Sequence, residues 1–393
     1  MNNNQYQKGT EAIWAGEETS NLEGAVTTPI FNSVAFAYHD LDEWHNVALG
    51  NKEGFIYSRN TNPTVAALEE KIRILEGAEA ATSFATGMAA ISNTLFTFLT
   101  GKKRVVSLKD TYGGTSKIFL DFLPKYGVEV TLCDTSNHEE IEAEVAKGCD
   151  VLYLETPTNP TLKIVDIKRL AIAAKKVGAI TIVDNTFATP INQNPLQLGA
   201  DLVLHSATKF LCGHSDAMGG LLCGKKELVQ QVFHFREING ASLQANPAYM
   251  IARGMKTLEL RIERQNASAL KIAVWLKAHD KISEVFYPGL PTHLHHGIAK
   301  QQMHGFGGVL SFSLASGYDA VKTFLPKLKL VHLAASLGSI STLAGPPRTT
   351  SHVELTEEQR AMLGIPEGLI RYSVGIENVD DLLQDLEDAL KMV

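Results

Sequence analysis

Three things are scarce in this chain of 393 residues: cysteine, long apolar runs and positive charge. Its four cysteines, Cys133, Cys149, Cys212 and Cys223, form no CxxC pair and have no histidines at zinc-like spacing. That pattern excludes a disulfide framework and a zinc ribbon, and leaves reduced thiols. No apolar run approaches the roughly 20 residues that cross a bilayer, so no membrane partner is expected. Lysine and arginine number 36 against 43 aspartates and glutamates, a formal charge of -7, where a nucleic-acid binder would show a basic stripe. The opening stretch MNNNQYQKGTEAIWAG lacks the apolar core of a secretory leader, which gives the expectation of a cytoplasmic protein. What remains, 45% hydrophobic and 20% charged residues, is the composition of a globular enzyme long enough for two or three domains.

The stretch Asp201 to Gly220, DLVLHSATKFLCGHSDAMGG, draws attention first. An apolar run, Leu202-Val203-Leu204, enters a polar turn with Ser206, Thr208 and Lys209. Burial disfavours the charged form of an amine, and a neutral amine can condense with an aldehyde cofactor. The flanking hydroxyls of Ser206 and Thr208 could hold that cofactor's phosphate. Alone, the pattern reads as a turn lysine paired to a carboxylate. Asp184, which closes the apolar run Ile180 to Val183, changes the balance, because a carboxylate at the end of a buried strand needs a charged or hydrogen-bonding partner. A pyridinium nitrogen would supply one.

Strands and helices alternate along the middle of the chain. Apolar runs at Ala80 to Phe84, Val105 to Leu108, Val128 to Leu132, Val151 to Leu154, Ile180 to Val183, Leu202 to Leu204 and Gly219 to Cys223 are separated by helical stretches. Such alternation predicts a mostly parallel sheet covered on both faces, with ligands at the strand ends. Asn62-Pro63 opens a helix that Gly77 stops. Ser83 to Ala90 reads as a turn feeding a helix start, where exposed amides attract a phosphate. Helical periodicity runs from Arg253 through Leu276, followed by a smaller alternating section and a closing helix after Asn378. The first sixty residues carry few regular apolar periods and little core of their own. His293, His295 and His296 fit a solvated loop and helix start better than a metal centre, and no metal is expected.

Together, VDNTFATP, HSATKFLCGHSDAMGG, ETPTNPTLKIVDI and LIRYSVGIE resemble the Cys/Met-metabolism (trans-sulfuration) family of pyridoxal phosphate enzymes, with matching segments in the same order from about Tyr57 to Glu377. The resemblance implies an α/β fold of the fold-type I, aspartate aminotransferase-like kind, with a large, mostly parallel sheet domain and a smaller α+β C-terminal domain. It divides the chain into an N-terminal arm (1–60), a cofactor-binding domain (61–255) and a C-terminal domain (256–393). It implies pyridoxal 5'-phosphate bound by Gly87, Met88, Tyr112, Asn159, Asp184, Ser206, Thr208 and Lys209. Tyr57 and Arg59 would reach the cofactor of a neighbouring subunit, within a homotetramer built from dimers that share active sites. Lys209, Tyr112 and Asp184 are the implied catalytic residues. Asn159, Ser336 and Arg371 would hold the carboxylate of a small amino-acid substrate, a task suited to the planar fork of arginine. Bland readings stand beside these: an interface ion pair for Arg59 and Arg371, turn residues for Asn159 and Ser336, a turn cover for Tyr112.

Substrate is less legible. Two outcomes share the same residues: gamma-elimination from a sulfur amino acid, which the sequence favours, and gamma-replacement on an acylated homoserine. Ser341 stands where relatives commonly have glutamate, and Ile56 where many cystathionine lyases have an acidic residue. Neither supplies a carboxylate for a distal ammonium. Gly114 replaces the cysteine usual in methionine gamma-lyases, Cys212 reads as buried filler, and Arg348 could meet an anionic distal group or lie at the surface.

Overall fold

The structure is a computed structural model that describes residues 6–17, 24–353 and 355–393. Seven strands make the larger sheet: β1 (Ala80–Phe84), β2 (Arg104–Leu108), β3 (Glu129–Cys133), β4 (Val151–Glu155), β5 (Ile180–Asp184), β6 (Leu202–Ser206) and β7 (Gly220–Gly224). Their order is β1-β7-β6-β5-β4-β2-β3, and β7 alone runs against its neighbours.

Both faces of this sheet are buried, which is why the strands read as continuous apolar runs. One face sets Phe84, Val105, Tyr153, Ile182, Leu204 and Leu222 against the helix Gly87–Phe98. The alternate residues Val106, Leu108, Leu152, Leu154 and Val183 pack under the helices His138–Ala146 and Ile167–Lys176. Removing one of these fully buried side chains, as in Leu154→Ala, should cost about 2–5 kcal/mol.

The helix Pro63–Glu76 begins as its sequence predicts. Asn62 accepts hydrogen bonds from the amides of Thr64 and Val65, Pro63 occupies the first turn, and Gly77 ends the helix at φ 69°. Its buried residues Leu68, Ile72 and Leu75 join Phe210, Leu211 and Cys212, so the helix lies under the turn that carries Lys209.

A second sheet follows: β8 (Ile282–Phe286), β9 (Val309–Leu314), β10 (His332–Leu333), β11 (Leu343–Gly345) and β12 (Leu369–Ser373), ordered β10-β11-β12-β9-β8. It packs on the helices Gly317–Phe324 and Val379–Leu390 through Phe312, Tyr372, Phe324, Leu382 and Leu386. The mixed architecture, with its large and mostly parallel sheet, is the fold class expected.

The periodicity from Arg253 to Leu276 proves to be two helices, Ala245–Met255 and Leu258–Lys277, parted at Lys256 and Thr257. Leu258 and Ile262 of the second helix belong to the core beneath Lys209, whereas Ile272 and Leu276 belong to the core of the smaller sheet. One turn in between makes polar ties in both directions. Arg261 donates to the carbonyls of Phe210 (2.7 Å), Leu211 (3.2 Å) and Gly254 (2.8 Å). Gln265, four residues on, donates to the carbonyls of Ser339 (2.9 Å) and Val374 (3.0 Å). Burial pushes the Arg261 guanidinium down to about 10, and its charge is met by backbone oxygens.

Near the start, two short helices, Lys8–Trp14 and Leu41–Ala48, appear where few regular elements were expected. Asp40 supplies the signal for the second, accepting from the amide of Glu43. Among the described residues no helix is long and apolar enough to cross a membrane.

Candidate active site

The strand ends of the large sheet and the loops before β11 and β12 enclose a cleft of about 280 Å³. Its walls include Gly87, Met88, Tyr112, Asn159, Asp184, Ser206, Thr208, Lys209, Ser336 and Arg371. Ten of the twelve residues expected at the site therefore meet in one place. Tyr57 and Arg59 do not line it; the Arg59 guanidinium instead lies 5.3 Å from the centre of the Tyr57 ring.

Most of these side chains arrive from element ends. Asp184 closes β5, is 8% exposed, and accepts from the amide of Thr186 at 3.0 Å. The Tyr153 hydroxyl lies 3.5 Å from its other oxygen. Burial raises its pKa above the ordinary carboxylate value, and the hydrogen bonds from Thr186 oppose that shift. Lys209 follows β6, and its Nζ donates to the Ser336 hydroxyl at 3.1 Å. Burial, helped by the charge of Arg371, pushes the amine down to about 8. Arg371 sits in the middle of β12. Its side chain lines the cleft, and the residue is 7% exposed. It donates to Asn159 Oδ1 and to the Ser336 carbonyl, both at 3.0 Å. Burial lowers it to about 10, still charged near neutrality. Its hydrogen-bonding fork, Asn159 and Ser336 thus form one cluster beside the lysine.

The other end of the cleft is a helix start. Thr86 caps the helix Gly87–Phe98 by accepting from the amide of Ala89 at 3.0 Å. The amides of Gly87 and Met88 have no acceptor among the described residues, and Ser206 presents its hydroxyl beside them. A Cβ on Gly87 would lie 2.7 Å from the Ser206 Cβ, so glycine keeps this corner open. Thr208 is more committed, its hydroxyl facing the backbone of Gly219 at 3.1 and 3.3 Å.

Unpaired amides and a hydroxyl suit a phosphate, a buried carboxylate suits a ring nitrogen, and a neutral amine suits an aldehyde. The donor set therefore fits pyridoxal phosphate.

Several lining residues escaped the sequence reading: Glu155, Thr186, Phe187, Thr350 and Ser351. Glu155 had a signal. It closes β4 as Asp184 closes the adjacent β5, and the two stand in register.

Where sequence departs from its relatives, the structure shows the local reason. A Cβ on Gly114 would come within 2.8 Å of Met88 Sδ and 2.9 Å of the Tyr112 ring, so a side chain there would displace one of them. Arg348 does not line the cleft: it pairs with Glu367 at 2.8 Å and stacks 4.4 Å over Tyr318, the surface placement that the sequence left open beside a distal-anion role. Ser341 faces a neighbouring groove together with Asp216. The thiol of the buried Cys212 donates to Asp216 at 3.2 Å. His295 and His296 use ring nitrogens on the Ile164 amide and the Pro288 carbonyl.

A parallel α/β sheet with an aspartate ending one strand, a lysine following the next and unpaired amides at a helix start defines a pyridoxal phosphate enzyme of fold-type I. The model of the family described as Cys/Met metabolism PLP-dependent enzyme matches residues 9–391, and the chain belongs to that family. It is 44% identical to L-methionine gamma-lyase of Fusobacterium nucleatum subsp. polymorphum across 100% of both chains. It is 42% identical to cystathionine gamma-lyase of Bacillus subtilis (strain 168), over 98% of this chain and 100% of that one. Among solved structures, cystathionine gamma synthase from Xanthomonas oryzae pv. oryzae superposes with a TM-score of 0.93 at 37% identity, over 98% of each chain.

Proposed function

We propose that this chain is a pyridoxal phosphate-dependent carbon–sulfur lyase. It would perform gamma-elimination on a sulfur-containing amino acid, releasing a 2-oxo acid, ammonia and a thiol. The observation that carries this reading is the contact of Lys209 Nζ with Ser336 Oγ at 3.1 Å, beside a buried Arg371 already bonded to Asn159. A substrate carboxylate held by that cluster places its alpha carbon next to the amine.

In the proposed cycle, Arg371, Asn159 and Ser336 fix the alpha-carboxylate, and Lys209 removes the alpha proton. Pyridoxal phosphate, when bound, supplies the electron sink for the charge left at that carbon. Asp184 keeps the ring nitrogen protonated, and the amides of Gly87 and Met88 with Ser206 and Thr208 hold the phosphate. A second proton then leaves the beta carbon, and its electron pair expels the gamma sulfur. Tyr112, at the cleft mouth, gives that sulfur a proton, and water releases the remaining fragment as 2-oxo acid and ammonia. Fixing the carboxylate would orient the alpha C–H bond toward Lys209, so Arg371 would govern rate as well as affinity.

Gamma-replacement on an O-acylhomoserine is the second reading, because capture by a thiol would use the same residues up to the final step. The likeness to cystathionine gamma synthase keeps it in view. Elimination is favoured by the departures at Ile56 and Ser341, which leave both positions without a carboxylate for a distal ammonium, and by the likeness to L-methionine gamma-lyase. Incubation with methionine, cystathionine, homocysteine and O-acylhomoserine, with and without added thiol, decides between them. 2-Oxobutyrate and ammonia without thiol support elimination; a thioether product formed only with thiol supports replacement; inactivity on all four rejects both.

The reading extends to assembly. Tyr57 and Arg59 would complete the site of a second copy, within a homotetramer of dimers, and the arm offers apolar surface for such a contact: Val34, Leu41, Trp44 and Leu49 are exposed. The division into an arm (1–60), a cofactor domain (61–255) and a C-terminal domain (256–393) is supported by the helix break at Lys256 and Thr257. Four unpaired thiols suit the reducing cytoplasm.

A further inference from the structure

Two carboxylates end adjacent strands in this cleft. Glu155 and Asp184 stand opposite each other in the β4–β5 ladder, and are 4% and 8% exposed. Neighbouring parallel strands lie about 4.8 Å apart, too close for two uncompensated buried charges. The cations nearby are already engaged. Arg371 is bonded to Asn159 and Ser336, Lys209 to Ser336, and Lys163 pairs with Asp110 at 3.0 Å. Among the described residues no cation lies within ion-pair distance of Glu155. Other groups facing it worsen the case for a charge: Asp184 from β5, Asp110 from the turn after β2, and Tyr153 from its own strand.

The cofactor would bring one positive ring nitrogen, and that charge meets Asp184. We infer that Glu155 is kept as the neutral acid and serves as a positioning residue. Its carbonyl oxygen receives the Tyr112 amide, and its proton leaves Asp184 alone to carry the negative charge that would meet the cofactor's ring nitrogen. The inference rests on the reading of Asp184 as the ring-nitrogen partner. Three observations meet in it. Glu155 Oε2 accepts from the Tyr112 amide at 2.7 Å, so the carboxyl sets the turn that presents the phenol. Asn159, on the loop that follows β4, lines the same cleft as Glu155 and Tyr112, so the carboxyl stands between the turn and the substrate-facing loop. Burial raises the Glu155 carboxyl well above the usual range, and the Asp184 charge adds to the shift; the bond from the Tyr112 amide opposes them. Burial and a like charge on the neighbouring strand win because no cation is left over.

Infrared difference spectra test this without reference to turnover. Subtracting Glu155→Gln from wild type at neutral pH, both loaded with pyridoxal phosphate, should show loss of a protonated-carboxyl carbonyl band. Loss of an ionised-carboxylate band instead overturns the inference. Kinetics supply a second arm. Glu155→Leu should lower kcat/KM at least about tenfold through the misplaced Tyr112 turn, and Glu155→Gln, which keeps the carbonyl acceptor and a donor, should recover most of that loss. A glutamine variant as impaired as the leucine one shows that the charge was needed and also overturns it. Should added pyridoxal phosphate give no bound-cofactor absorbance in wild type, the fault lies with the cofactor reading. The apoprotein spectra then still report the state of Glu155.

Discussion

The N-terminal arm and the strand ends of the large sheet handle their functional side chains in opposite ways. At the strand ends, Asp184 and Glu155, with Arg371 of β12 facing the same cleft, are each less than a tenth exposed and bonded within the chain. On the arm, Tyr57 is 42% exposed and leans on Arg59 outside the cleft. Buried polar groups must find partners in their own fold, so the cleft's chemistry can be read from one chain. Tyr57 and Arg59, on an exposed arm outside the cleft, are the part of the proposed site that needs a second chain.

The sharpest way to break this contrast is to disable one half at a time. Lys209→Ala should cut turnover by at least about a thousandfold and change the bound-cofactor absorbance, with little effect on folding. Residual activity near wild type would remove the lysine from the mechanism. Arg59→Ala comes next: loss of a phosphate-binding guanidinium should weaken cofactor affinity roughly a hundredfold. Mixing Lys209→Ala and Arg59→Ala subunits is the decisive form of that experiment. Hybrid dimers contain one intact site, so refolded mixtures should regain roughly a quarter of wild-type activity. No recovery would put Arg59 to work in its own subunit.

The pH response sharpens the strand-end half. Lys209 is pushed down to about 8, so the free amine becomes the major form as pH rises through that value. Capture of added pyridoxal phosphate by apoprotein should therefore accelerate roughly tenfold per pH unit below it and level off above. A rise continuing toward the model-compound value of 10.5 would show that burial does not tune the amine. The smallest effect is expected from Gly87→Ala. The added methyl, 2.7 Å from the Ser206 Cβ, should shift that hydroxyl and weaken cofactor binding several-fold, about 1 kcal/mol, measured by equilibrium titration.

How much of this could be read beforehand depended on what was local. Strands such as Ala80–Phe84 are apolar runs bounded by turn formers and were legible almost to the residue. Asp184 and Lys209 stand out because charge at the end of such a run is costly. Glu155 carries the same signal, yet it was read as the start of ETPTNP. Its meaning comes from register against β5, which no single segment reveals. The break at Lys256 and Thr257 was hidden because apolar spacing continues across it while the packing partners change. Arg348 was ambiguous for a similar reason: its carboxylate partner, Glu367, lies on a different stretch.

One turn of the helix Leu258–Lys277 deserves a last consequence. Arg261 grips the carbonyls just past the lysine, and Gln265 grips those of Ser339 and Val374, three residues beyond Ser336 and Arg371, the proposed carboxylate anchor. The separation between base and anchor is thus gauged by a single rigid rod, the way a caliper fixes two jaws.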